Sequence, residues 1–121
     1  MAMKRDYSQP LDPLRENCPV RAALDVIRGR WKPSILLELK EGPKRYSEFR
    51  DAASLSGITP QALTVQLRQL EADGVVSRKV YAEIPVRTEY RLTALGASLS
   101  GVMDQLEVWG TKYFARRRQE N

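Results

Sequence analysis

One stretch, residues 58–74, constrains the fold more than any other because both of its ends are marked. Thr59 suits a helix cap, since its hydroxyl can accept a backbone N–H one turn further on. Pro60 follows at the first helical position, where a missing N–H costs nothing. Ile58 and Leu63 have the spacing at which two apolar residues clamp a helix entry. Leu63, Leu67 and Leu70 recur on one helical face, and Gly74 stands where a left-handed residue ends a helix. With the leucines inward, Gln61, Thr64, Val65 and Arg68 occupy the opposite face.

The flanking segments supply the context. Upstream, Val20, Leu24 and Ile27 share one helical face, and Gly29 interrupts it. A second helix starts at Pro33, buries Ile35, Leu36 and Leu39, and stops at Gly42. Ser47 is the expected cap of a short third helix carrying Phe49 and Ala53, and Ser56 and Gly57 read as a turn. Downstream, residues 75–82 are rich in Val and Tyr, and residues 87–92 alternate, with Thr88, Tyr90 and Leu92 on one face. Ile84, Pro85 and Val86 lie between them, and the proline argues for a loop. Thr93 caps a last helix running to about residue 117, with Leu95, Leu99, Val102, Leu106, Trp109 and Tyr113 as its stripe. Residues 1–17 show no periodicity and read as a flexible N-terminal arm; residues 18–121 read as one domain, its terminal helix spanning about 94–117.

Helix, helix, helix, turn, helix and two-stranded hairpin is the plan of a winged helix-turn-helix. The expected class is mainly α with a small β-hairpin (α+β), with N- and C-terminal dimerisation helices. Such a helix fits the major groove of B-DNA, where side chains meet base edges. Gln pairs with adenine, Arg with guanine, Thr with several bases, and Val methyls can touch a thymine methyl. Thr59 and the free amides of the first turn suit a phosphate oxygen. At the hairpin, Arg87 is the candidate for the adjacent groove, with Arg78, Lys79 and Arg45 as phosphate contacts. The competing readings are a merely solvated helix face, and cross-strand pairing of Arg87 and Arg78 with Glu89 or Glu83.

Composition removes other classes. The chain has no histidine and one cysteine, Cys18, so no nucleophile-and-base pair, metal site or internal disulfide can be assembled. No enzyme and no cofactor are expected. The apolar run around residues 35–37 is far too short to cross a membrane, and the first residues lack a signal-peptide core, so a cytoplasmic place is expected. A net charge of +5 suits a polyanionic partner.

The residues from Cys18 to about Gly110 resemble the HxlR-type winged helix regulators of bacteria. The matching pieces are Cys18-Pro19-Val20, Gly29-Arg30-Trp31-Lys32 and Gly42-Pro43-Lys44-Arg45-Tyr46-Ser47-Glu48-Phe49. They continue with Leu63-Thr64, Leu67-Arg68, Leu70-Glu71, Asp73-Gly74-Val75-Val76, Pro85, Arg87, Glu89-Tyr90, Leu92-Thr93, Leu95-Gly96 and Trp109. Two positions depart: Arg28-Gly29-Arg30 where the family often has Gly-Gly-Lys, and Gln61 where it often has Lys. The resemblance implies a dimeric repressor or activator on a near-palindromic site, with repression expected here, and in some members a cysteine at the place of Cys18 that senses oxidants or electrophiles.

The dimer also follows from the last helix. About 24 residues at about 1.5 Å each give roughly 36 Å, more than a small core needs. Pairing its apolar stripe with a second copy, helped by the first helix, would set two recognition helices about 34 Å apart. The alternative is that the stripe folds back on its own core. Cys18 reads either as a reactive thiol near Arg21, Arg28 or Arg30 or as a small packed residue. A small-molecule effector lined by Trp31, Tyr46 or Trp109 and a winged-helix protein-interaction module that never touches DNA are the remaining alternatives.

Overall fold

The computed structural model describes residues 16–119. Five helices surround a small sheet in the order α1 (Pro19–Ile27), α2 (Lys32–Lys40), β1 (Lys44–Arg45), α3 (Tyr46–Asp51), a 3-10 turn (Ala53–Leu55), α4 (Pro60–Ala72), β2 (Val76–Tyr81), β3 (Arg87–Leu92) and α5 (Ala94–Gln119). The arm expected over residues 1–17 lies, apart from Glu16 and Asn17, outside the described residues.

The core sits where α2, α3, α4 and the sheet meet. Ile35, Leu36 and Leu39 of α2 pack with Phe49, Leu55, Leu63, Leu67, Leu70, Val75, Val76 and Tyr90. Phe49 meets Tyr90 edge-on with ring centroids 6.0 Å apart, the arrangement favoured by aromatic quadrupoles. α4 is built as its sequence signals require. Thr59 Oγ1 accepts the Ala62 N–H at 3.1 Å, the three leucines are fully buried, and Gly74 takes a φ of +79°, where a side chain would be strained.

Two expectations need correction. The hairpin is the larger part of a three-stranded antiparallel sheet, order β1-β3-β2, because Lys44 and Arg45 pair with Tyr90 and Glu89. Two residues are too few to show alternation in a sequence. α3 starts two residues earlier than the Ser47 cap implies: Arg45 is the cap residue, its amide donating to Glu48 Oε1 at 3.0 Å, and Ala53 falls in the 3-10 turn. On α1, where no burial within the protomer was expected, Ile27 is buried and Val20 and Leu24 are exposed, so most of its apolar face meets solvent.

The start of α5 is fixed by a close approach. Thr93 Oγ1 donates to the Gly74 carbonyl at 2.6 Å and accepts the Gly96 N–H at 3.0 Å. Gly96 lies so near β2 that a Cβ there would stand 1.9 Å from the Val75 carbonyl oxygen. From this anchor α5 runs 26 residues, about 39 Å, and its first half packs against the core. Leu99 and Met103 pack against the core, and Asp104 pairs with Lys40 at 2.7 Å.

Candidate nucleic-acid interface

The outward face of α4 carries Gln61, Thr64 and Arg68 exposed and Val65 half-buried, the set expected from the leucine stripe. Its first turn is braced from α3. The Tyr46 hydroxyl donates to the Pro60 carbonyl at 2.9 Å and lies 3.2 Å from Thr64 Oγ1. Tyr46 therefore sets the angle between the two helices and shares the hydroxyl of one candidate base-reading residue. Sequence reasoning had Tyr46 only as a core or effector-lining aromatic; nothing in the spacing pointed at its hydroxyl.

A second brace is buried. Lys32 Nζ of α2 donates to Gln69 Oε1 on the inner side of α4, and both residues are almost wholly excluded from water. On α1, the buried Asp25 pairs with Arg28 at 2.9 Å. Buried polar groups of this kind must find partners, because an unpaired one costs a few kcal/mol (about 1–3). Gln69 and Lys32 were missed because polar residues within an apolar pattern give no sign of which face they take.

In the wing, Arg87 and Arg78 already have partners within the chain. Arg87 donates to both carboxylate oxygens of Glu83 at 3.2 and 3.1 Å, sits 3.6 Å from Glu89, and lies over the Tyr81 ring at 3.8 Å. The hydrogen bonds it donates to Glu83 hold the Arg87 guanidinium above its ordinary pKa. Glu89 lies below the usual carboxylate value, chiefly through its hydrogen bond from Arg91. Burial pushes the Tyr90 phenol up. Arg87 thus takes the ion-paired alternative with both glutamates. Arg78 is paired as well, but with Glu71 of α4 at 3.4 Å rather than with Glu83 or Glu89. Lys79 rests 4.8 Å above the Tyr81 ring, and Arg45 is exposed at the start of α3. Beyond this ion-paired base, the tip residues Ile84 and Val86 are exposed.

The stripe on α5 does not fold back on the protomer. Leu95, Val102, Leu106, Trp109 and Tyr113 are all exposed, as is Phe114; only Leu99 reaches the core. Trp109 and Tyr113 stack on each other at 5.6 Å. Two apolar clefts lie beside the stripe, one of about 220 Å³ against Ala22 and Val26 of α1 and one of about 340 Å³ against Ile27, Pro33 and Leu37. Cys18 is half-buried just before α1, where its carbonyl accepts the Ala22 N–H at 2.9 Å. Of its expected cationic neighbours, Arg28 pairs with Asp25 at the far end of the helix and Arg30 lies over Trp31 at 4.5 Å. Among the described residues no helix is long and apolar enough to cross a membrane, and no acidic or thiol cluster could hold a metal ion.

Comparison with known proteins agrees with this geometry. The sequence model of the HxlR-like helix-turn-helix family matches residues 26–118. The HTH-type transcriptional regulator YdeP of Bacillus subtilis is 46% identical over 98 residues, covering 81% of this chain and 75% of its own. The redox regulator HypR in its reduced form superposes with a TM-score of 0.77 at 40% identity, covering 84% of this chain and 99% of its own. The crystal structure of the HTH-type regulator YtcD gives 0.75 at 45% identity, with 81% and 98% covered.

Proposed function

The chain belongs to the HxlR-like helix-turn-helix family, whose relatives are HTH-type transcriptional regulators, and from that premise we propose that it binds duplex DNA sequence-specifically as a homodimer and represses transcription from a near-palindromic operator. The observation that carries the reading is α4: a capped helix, braced by Tyr46 at its first turn, with Gln61, Thr64 and Arg68 presented together. A helix so held can enter a major groove without losing further conformational freedom.

The exposed faces of α1 and α5 support the dimer. An apolar stripe of this length is costly in water and is covered economically by its own copy about a twofold axis. DNA binding places the protein in the cytoplasm, on the nucleoid when bound. Cys18 is the proposed input. With one cysteine per chain, the available chemistry is an intersubunit disulfide, a mixed disulfide or alkylation, and the structural neighbour HypR is named a redox regulator.

The experiment is fluorescence anisotropy of the reduced protein on duplex from its own upstream region, at two salt concentrations and against unrelated competitor DNA. Tight, salt-dependent binding that survives competitor is the expected result. No binding to any duplex at low salt would overturn the reading in favour of a protein-interaction module.

A further inference from the structure

The tip of the wing has the wrong chemistry for gripping phosphates. Ile84 is 102% exposed and Val86 67%, with Pro85 exposed between them. The nearest cation, Arg87, is turned back onto Glu83, Glu89 and the face of Tyr81. Its charge is balanced at the base of the loop, and the carboxylate of Glu83 stands beside the tip. Left over is a narrow apolar point on a charge-compensated, well-tied stem.

We propose that Ile84 and Val86 form a wedge that enters the minor groove beside the site faced by α4, partly unstacks one base step and bends the duplex. The wing then selects DNA by how easily it deforms. This inference rests on the DNA-binding reading above. Isoleucine and proline are among the residues that proteins insert between base steps in this way. The minor groove, about 6 Å wide, admits a single loop where it excludes a helix.

Position agrees with chemistry. An open groove of about 420 Å³ runs between residues 45–47 and residues 83–88, and Tyr46 on its wall reaches Pro60 and Thr64 of α4. The tip, the start of α3 and the first turn of α4 therefore form one continuous surface. Strands of six residues at about 3.3 Å each carry the tip roughly 20 Å outward. Neighbouring major and minor grooves lie about half a turn, roughly 17 Å, apart, a span that a hairpin of this length can cover. Arg45, exposed on the opposite rim, is placed for the phosphates flanking the step. A protein partner fits less well, because three tip residues offer far less than the roughly 800 Å² per side of a stable interface.

The test uses the whole 121-residue chain and a duplex that it selects from a random library of about 30 base pairs, end-labelled for energy transfer. Wild type should shorten the end-to-end distance on binding. The double variant I84S/V86S should bind about tenfold more weakly and leave the duplex straighter, since burying each side chain is worth at least that factor before the unstacking cost. Its selected sequences should also lose any preference for flexible TA or CA steps under the wing. Both substitutions lie in a fully solvated loop, and an unchanged melting curve confirms the fold. Wild-type binding to a straight duplex, or a variant that bends and binds like wild type, overturns the wedge and leaves DNA binding intact. Failure to select any duplex overturns the DNA-binding reading, and the wedge with it.

Discussion

Replacing Gly96 with alanine tests the join between the winged core and the long terminal helix. The added Cβ would sit 1.9 Å from the Val75 oxygen and 3.2 Å from the Val75 Cα, both backbone atoms with no rotamer to change. Restoring ordinary contact requires α5 to retreat by over an ångström. That movement stretches the bridge in which Thr93 joins the Gly74 carbonyl to the Gly96 amide. Overpacking of this kind costs about 1–3 kcal/mol, and two weakened hydrogen bonds add roughly 1 kcal/mol. The total, about 2–4 kcal/mol, should lower the melting temperature by roughly 8–16 °C for a chain of this size. Gly101→Ala is the matched control. It lies on the same helix, off the apolar stripe, and its added Cβ meets nothing within 4 Å, so the normal helix preference for alanine should raise stability by about 0.5–1 kcal/mol. Thermal melts at one fixed protein concentration would read both, since dimer stability depends on concentration. A Gly96→Ala protein that melts within about 2 °C of wild type, or two variants shifting in the same direction, would refute the argument.

Further outcomes follow from the same geometry. Gln61→Ala, Thr64→Ala and Arg68→Ala should each weaken specific binding by about 1–3 kcal/mol and relax base preference at one position, read by anisotropy on single-base operator variants; uniform weakening on all sequences would make them phosphate contacts. Tyr46→Phe should cost roughly 1 kcal/mol in denaturant melts and also weaken DNA binding, because the Pro60 and Thr64 contacts go together. Leu106→Asp with Trp109→Asp should give a folded monomer in sedimentation that has lost operator affinity; an unchanged sedimentation coefficient would mean the stripe is not the interface. The wing should loosen in acid. Glu89 has a lowered folded pKa, so its stabilising pairs are complete above its ordinary value near 4.5 and are lost as pH falls through the lower folded value. Amide exchange across β2 and β3 should accelerate only below that point, while exchange in α4 does not.

Much of the fold was legible because its signals are local. The cap at Thr59, the proline at position 60, the leucine stripe and Gly74 are all decided within a few residues, and α4 follows them closely. β1 was not legible for the complementary reason. Two residues, Lys44 and Arg45, are strand only because Tyr90 and Glu89, more than forty positions away, offer a free edge. Gly96 resembles any helical glycine in sequence; its necessity comes from the Val75 carbonyl, which only the tertiary fold brings there.

The site shows the same division in its charges. A sequence states that Arg45, Arg78, Lys79 and Arg87 are cationic; it does not state where each charge is already spent. Register decides that. β2 and β3 pair Tyr81 with Arg87 and Lys79 with Glu89, which lays the Arg87 guanidinium on an aromatic face between two carboxylates. Moving Arg87 from there to a phosphate would exchange two glutamate contacts and a ring for one anion, at a surface where such pairs are each worth at most about 1 kcal/mol. The exchange offers little affinity and loosens the loop that Arg87 ties down. Arg68 on α4 and Arg45 at the cap of α3 are exposed instead, on the face proposed to meet the duplex. In the proposed complex, positive charge would then act mainly at the helix-turn-helix, and the wing would contribute shape and apolar contact at its tip.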